Sequence, residues 1–97
     1  MKLHILREAE QEFAEAIQYY EDINSGLGIR LKNQVTRVIH WISRNSEVPR
    51  IRPLGYRRVN CKSFPYYIAY YIWEKEIFIA AIANSYKLPN YWIKKIP

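Results

Sequence analysis

The chain has a single cysteine, Cys61, so it cannot form an internal disulfide, which leads us to expect a protein of the reducing cytoplasm. Its longest apolar run falls far short of the roughly 20 residues that a membrane-spanning helix needs, so no membrane role is expected. Lys2 is followed by no long apolar region, and we expect no signal peptide. Histidine is scarce. His4 and His40 lie far apart, and neither belongs to a metal-ligand spacing, so we expect no metal and no cofactor. Internal repeats and low-complexity stretches are absent. Acidic residues nearly vanish after residue 22.

What is present suits one folded domain spanning residues 1–97. Apolar residues make up 49% of the chain and aromatics 15%, a composition that argues against disorder. The net charge of +6 is unevenly shared. Residues 1–22 hold two basic and six acidic side chains, whereas residues 23–97 hold thirteen basic and three acidic. A basic body behind an acidic first segment points to a polyanionic target or an acidic protein partner, and it also suits a solvated surface kept for solubility.

Lys2 to Leu6 reads as a short strand with Leu3 and Ile5 on one face and His4 outward. From Glu8 the period changes: Ala9, Phe13, Ala16, Ile17 and Tyr20 form an apolar stripe on one helix. Glu8, Glu10, Glu12 and Glu15 lie off that stripe, and the early glutamates complement the helix dipole. Asn24-Ser25-Gly26 breaks the helix. A second stripe follows through Leu27, Leu31, Val35, Val38, Ile39 and Ile42, with Arg30, Lys32 and Arg37 facing solvent. Two helices joined by so short a loop form an antiparallel pair. Pro49 and Pro53 forbid further helix. Tyr56 to Val59 reads as a second strand. Tyr66 to Trp73, rich in aromatic and β-branched residues, is a third, and the almost wholly apolar Ile77 to Ala83 suits a strand buried on both faces. Glu74-Lys75-Glu76 is a polar hairpin loop between them. Tyr66, Tyr67, Tyr70 and Tyr71 place aromatics on both faces of that third strand, one pair beneath the helices and the other toward a partner or a groove. The predicted fold is α+β, in the order β-α-α-β-β-β, with the helical pair packed on a small, twisted, mainly antiparallel sheet.

This order and several local strings resemble the RelE/ParE superfamily of bacterial type II toxins. Ala9 through Tyr20, ending in Tyr-Tyr-Glu at Glu21, resembles the family's first helix, and Gly26-Leu27-Gly28 its inter-helix turn. Arg57-Arg58 resembles its second strand, and Phe64-Pro65-Tyr66 with Ile68 and Tyr70 its aromatic-Pro-aromatic entry to the sheet. Ala83 through Trp92 resembles a tail usually written His-x-x-Arg-x-Pro-x-Tyr-Trp. The resemblance implies a cognate antitoxin as main partner in a toxin–antitoxin hetero-oligomer, and one of two activities: ParE-like poisoning of DNA gyrase, or RelE-like, metal-free cleavage of messenger RNA on the ribosome. A basic nucleic-acid-binding module without toxicity is a third reading.

Metal-free RNA cleavage must activate a 2′-hydroxyl, stabilise a charged phosphorane and protonate the leaving oxygen. Several departures from the family pattern bear on this. Asn84 stands at the tail's His position and cannot exchange a proton near neutral pH. Lys87 stands at its Arg position, keeping the charge without the bidentate fork. Tyr67 follows Phe64-Pro65-Tyr66, where nuclease-type members commonly carry an arginine. The candidate catalytic set is then Arg57, Arg58, Lys62, Lys87 and Tyr91. On a strand Arg57 and Arg58 point to opposite faces, so only one reaches a given site; one also suits an ion pair with the acidic first helix. Tyr91 suits proton donation, base stacking or simple packing beside Trp92. These depletions tilt the expectation toward the ParE-like activity.

Overall fold

The computed structural model describes residues 1–97, apart from the Asn90 side chain. Its elements are β1 (Leu3–Ile5), α1 (Arg7–Ile23), α2 (Leu27–Arg44), β2 (Arg57–Asn60), β3 (Tyr66–Trp73), β4 (Glu76–Asn84) and α3 (Asn90–Ile93). The α+β order expected from the sequence is present, closed by a short helix in the tail, where the sequence reading assigned no element. The four strands run β1-β4-β3-β2, with β1 parallel to β4 and the other neighbours antiparallel. The second strand begins one residue later than expected, because Tyr56 instead bridges back to Arg52 across the Pro53 turn.

Both helices lay their apolar stripes on one face of the sheet. Ala9, Ala16, Leu31, Val35 and Ile42 are buried against Tyr66, Ile68 and Tyr70 of β3 and Ile77, Ile79 and Ile82 of β4. Between the helices Gly26 takes a left-handed φ of 91°, which only glycine adopts without steric cost. The carboxylate of Glu21 closes this turn, accepting the Gly26 N–H at 2.8 Å and the Gly28 N–H at 3.0 Å. It satisfies amides that α2 leaves unpaired and places negative charge at the positive end of the helix dipole. Gly28 is where the two helices meet, since a Cβ there would stand 2.4 Å from the Ile17 carbonyl oxygen.

The hairpin of β3 and β4 departs from simple alternation. Ala69 pairs with Ala81, but Tyr70 pairs with Ile79, so β4 carries one extra residue at Ala80. This bulge shifts the pleat by one. Ile77, Ile79 and Ile82 therefore all face the helices, while Phe78, Ala80, Ala81 and Ala83 line the opposite face. There they meet Tyr67, Tyr71 and Trp92, which is only 2% exposed. The C-terminal segment thus covers the second side of β4, the two-sided burial expected of that strand. At the hairpin tip, Glu76 joins β4 opposite Trp73, leaving a two-residue turn rather than the three-residue loop expected. Glu74 and Lys75 take φ of 49° and 64°, the left-handed pair of a type I′ turn.

Two variants test these turns by thermal or denaturant unfolding. Gly28→Ala forces a methyl against backbone that cannot yield, and is expected to cost about 3 kcal/mol, the upper end of overpacking penalties. The double change Glu74→Asn, Lys75→Gly relieves two left-handed side-chain residues and is expected to stabilise the protein by about 1 kcal/mol.

Candidate functional site

β2 and β4 end, and β3 begins, at one end of the sheet. There α1 and the segment after β4 enclose an open cleft of about 590 Å³ lined chiefly by Glu12, Tyr19, Tyr20, Tyr66, Asn84, Tyr86 and Lys87. The tail carries its hydroxyls, amide and cation to this end, where a central strand leaves the sheet. Asn84, at the position of the family's histidine, holds the turn: its Oδ1 accepts the Tyr86 N–H at 2.9 Å.

The cleft is organised around Glu12, which the sequence reading left off the apolar stripe of α1. Its carboxylate is half-buried. Oε1 accepts the Ile82 N–H at 2.9 Å, and Oε2 accepts the Tyr91 hydroxyl. The cause lies in β4. β1 pairs only with Ile77 to Ile79, and Leu6 donates once more to the Ile79 carbonyl, so β4's outer edge has no strand neighbour beyond the bulge. Glu12 supplies the missing acceptor. Its position was a usable signal: three residues after Ala9 and four before Ala16, it shares their side of the helix. Burial is the main influence on its carboxyl and raises its pKa, against the lowering effect of the Tyr91 and Ile82 hydrogen bonds and of nearby Lys87. The Tyr91 phenol is raised far above the ordinary tyrosine range, by burial first and then by the hydrogen bond and charge of Glu12. Its proton is held on the oxygen.

The five residues singled out from the sequence occupy four separate settings. Tyr91 is tied to Glu12. Lys87 lines the same cleft. Arg58 lies on the sheet face away from the helices, its guanidinium 3.9 Å over the Tyr67 ring and donating to Asn60 Oδ1 at 2.9 Å. The Tyr67 hydroxyl in turn accepts the Trp92 indole N–H at 3.0 Å. Arg57 points to the other face, where it donates to the carbonyls of Glu47 and Pro49 at 2.9 and 2.8 Å and pins the loop between α2 and β2. Rather than the ion pair with α1 suggested for one of the two arginines, Arg57 makes these carbonyl bonds. Lys62 is exposed beside α2, in a groove shared with Gln34, Arg37 and Trp41. Of the tyrosine pairs, Tyr66 and Tyr70 lie beneath the helices, with the Tyr70 hydroxyl donating to the Ser46 carbonyl at 2.7 Å. Tyr67 and Tyr71 face the other side. Cys61 is buried and its thiol is pushed up to about 11, which keeps it protonated and unreactive. His4 bonds Glu76 at 2.6 Å on the outer face of β1, and among the described residues no three His, Cys, Asp or Glu side chains gather as a metal site would require.

No family model and no curated protein matches the sequence. The architecture is the ParE/RelE-like α+β fold: two antiparallel helices on a four-stranded, mostly antiparallel sheet. Among solved structures, a chain from the chromosomal ParDE TA system of P. aeruginosa is similar to this one, with a TM-score of 0.65 at 19% identity over 87% of this chain and 95% of that chain. At that identity the likeness establishes a shared fold. No helix among the described residues is long and apolar enough to cross a membrane.

The raised carboxyl of Glu12 has a definite consequence for stability. Between its ordinary value of 4.5 and its higher native value, the folded protein binds more protons than the unfolded chain. Stability from this group therefore falls as pH rises through that window. The stability of wild type relative to Glu12→Gln is expected to be greatest in acid and to decline toward neutral pH, as read by urea unfolding across that range.

Proposed function

We propose that this protein is the toxin of a type II toxin–antitoxin pair, held inactive in the cytoplasm as a hetero-oligomer with a cognate antitoxin, and that it acts as ParE-like toxins do, by binding DNA gyrase. The observation that carries this reading is the fold shared with a chain of a ParDE system, joined to a candidate set three of whose five members, Arg57, Arg58 and Tyr91, are spent on structure. Arg57 serves a loop, Arg58 a tyrosine ring, and the Tyr91 hydroxyl is committed to donating to Glu12. Nuclease chemistry needs those groups free and converging on one phosphate. The apolar rim of the cleft also suits a covering partner: Tyr19 is 61% exposed and Tyr86 86%, and Leu88, two residues after Tyr86, is 76% exposed.

A second reading, ribosome-dependent cleavage of messenger RNA, draws support from the exposed placement of Lys62 and Lys87 and from Arg58 beside the Trp92–Tyr67 pair. In that case Arg57, Arg58, Lys62, Lys87 and Tyr91 would form the catalytic set.

Induction of the chain alone is expected to arrest bacterial growth, and co-expression of the adjacent gene's product to restore it. Purified protein is expected to inhibit supercoiling by gyrase, with Tyr91→Phe retaining the effect. Discrete breaks in cellular messages by primer extension, lost in Tyr91→Phe, would instead assign the nuclease activity. Growth unaffected by induction, with or without the neighbour, would remove the toxin reading altogether.

A further inference from the structure

The positive charge of this protein is concentrated in one stretch of the chain. Residues 27–62, which comprise α2, the following loop, β2 and the turn after it, hold nine basic side chains and one acidic, a net +8 within a chain whose total is +6. The cleft, with Glu12, Glu15 and four tyrosines, lies outside that segment. α2 contains no Asp or Glu at all.

On α2 the basic residues follow a repeat. Arg30, Gln34, Arg37, Trp41 and Arg44 fall at i, i+4, i+7, i+11 and i+14, a single line beside the buried stripe. Its arginines stand about 10 Å apart along the helix axis. Arg37, Trp41 and Arg44 are exposed, and Lys62 joins them from the turn after β2. None of these cations is in an ion pair among the described residues, where the pairs are His4–Glu76 and Glu8–Lys95. Trp41 is 41% exposed and separates two shallow depressions, one reaching Arg37 and Lys62, the other reaching His40 and Arg44. A large aromatic standing between unpaired cations offers a π face to a planar ring with phosphate-binding groups on either side.

We propose that this face of α2 binds single-stranded nucleic acid without sequence preference, with a base stacked on Trp41 and the flanking phosphates held by Arg37, Arg44 and Lys62. Alternation of aromatic and cation is the arrangement that tracks a single strand. An amphipathic acidic helix would need a line of apolar sockets, whereas Trp41 is the one large apolar side chain on this line. The inference stands apart from the toxin reading, because it concerns a different face and is read by binding alone.

The test is fluorescence anisotropy of short labelled oligo(dT) and oligo(rU) with the full chain across a salt series. Wild type is expected to bind both at low salt; preference for one would identify DNA or RNA as the strand. Trp41→Ala is expected to weaken binding by about fivefold or more, and Trp41→Phe to retain most of it. Arg37→Ala is expected to flatten the log–log salt dependence by about 0.7. Should Trp41→Ala fail to fold, the double variant Arg37→Ala, Arg44→Ala must lose binding by itself. No binding by wild type, an unchanged Trp41→Ala, or an unchanged double variant would overturn the proposal. So would displacement by a polyglutamate peptide as effective as by unlabelled oligonucleotide, which would mark the face as one for an acidic protein.

Discussion

Burial of β4 on both sides is the constraint from which the rest of this structure follows. A strand flanked by β1 and β3 has its backbone largely paired, but each face still needs apolar cover. The helical pair covers one face, over Ile77, Ile79 and Ile82. The other is made of small residues, Ala80, Ala81 and Ala83, and the space above them admits the indole of Trp92. The bulge at Ala80 makes the division work. Without the extra residue, strict alternation would turn Ile82 away from the helices and put an alanine in its place.

The same constraint positions the candidate site. Because β1 is short, the outer edge of β4 beyond Ile79 lacks a strand neighbour, and an N–H buried there without an acceptor would be costly. Glu12 reaches it from α1 and holds the Tyr91 hydroxyl with its second oxygen. One side chain thus ties α1, the central strand and the C-terminal segment together, beside the Trp92 that covers the alanines. A carboxylate in this position is structural first, and the phenol it holds is not free to shuttle protons. The positive charge, by contrast, sits on α2, the following loop and β2, where β2 is the opposite edge of the sheet. The two regions therefore differ in character: the cleft is aromatic and partly acidic, and the stretch from α2 to β2 is basic.

Much of this was legible in the chain. The apolar stripes of α1 and α2 are set by helical periodicity, which requires no knowledge of partners. The β3–β4 hairpin announces itself by β-branched and aromatic content, and the opposite facing of Arg57 and Arg58 follows from the pleat alone. Less legible was the hairpin tip. Glu74-Lys75 lacks the Asn or Gly that type I′ geometry favours, so local chemistry gave no reason to prefer two residues over three; the pairing of Trp73 with Glu76 decided it. The closing helix is another case, since four residues carry too little periodicity to register, and it is the burial of Trp92 that holds them.

By itself, then, the sequence determined the α+β layering, the order of elements and the separation of acidic from basic segments, because each depends on local periodicity or on composition. Only the tertiary structure decided that Glu12 would be half-buried, that Tyr91 would be bound to it, and that Arg57, Arg58, Lys62, Lys87 and Tyr91 would be divided among four settings. Those outcomes depend on where one strand ends and another bulges, and on which carbonyls a loop leaves open. Such features arise from contacts between residues as many as 79 positions apart, which no window along the chain contains.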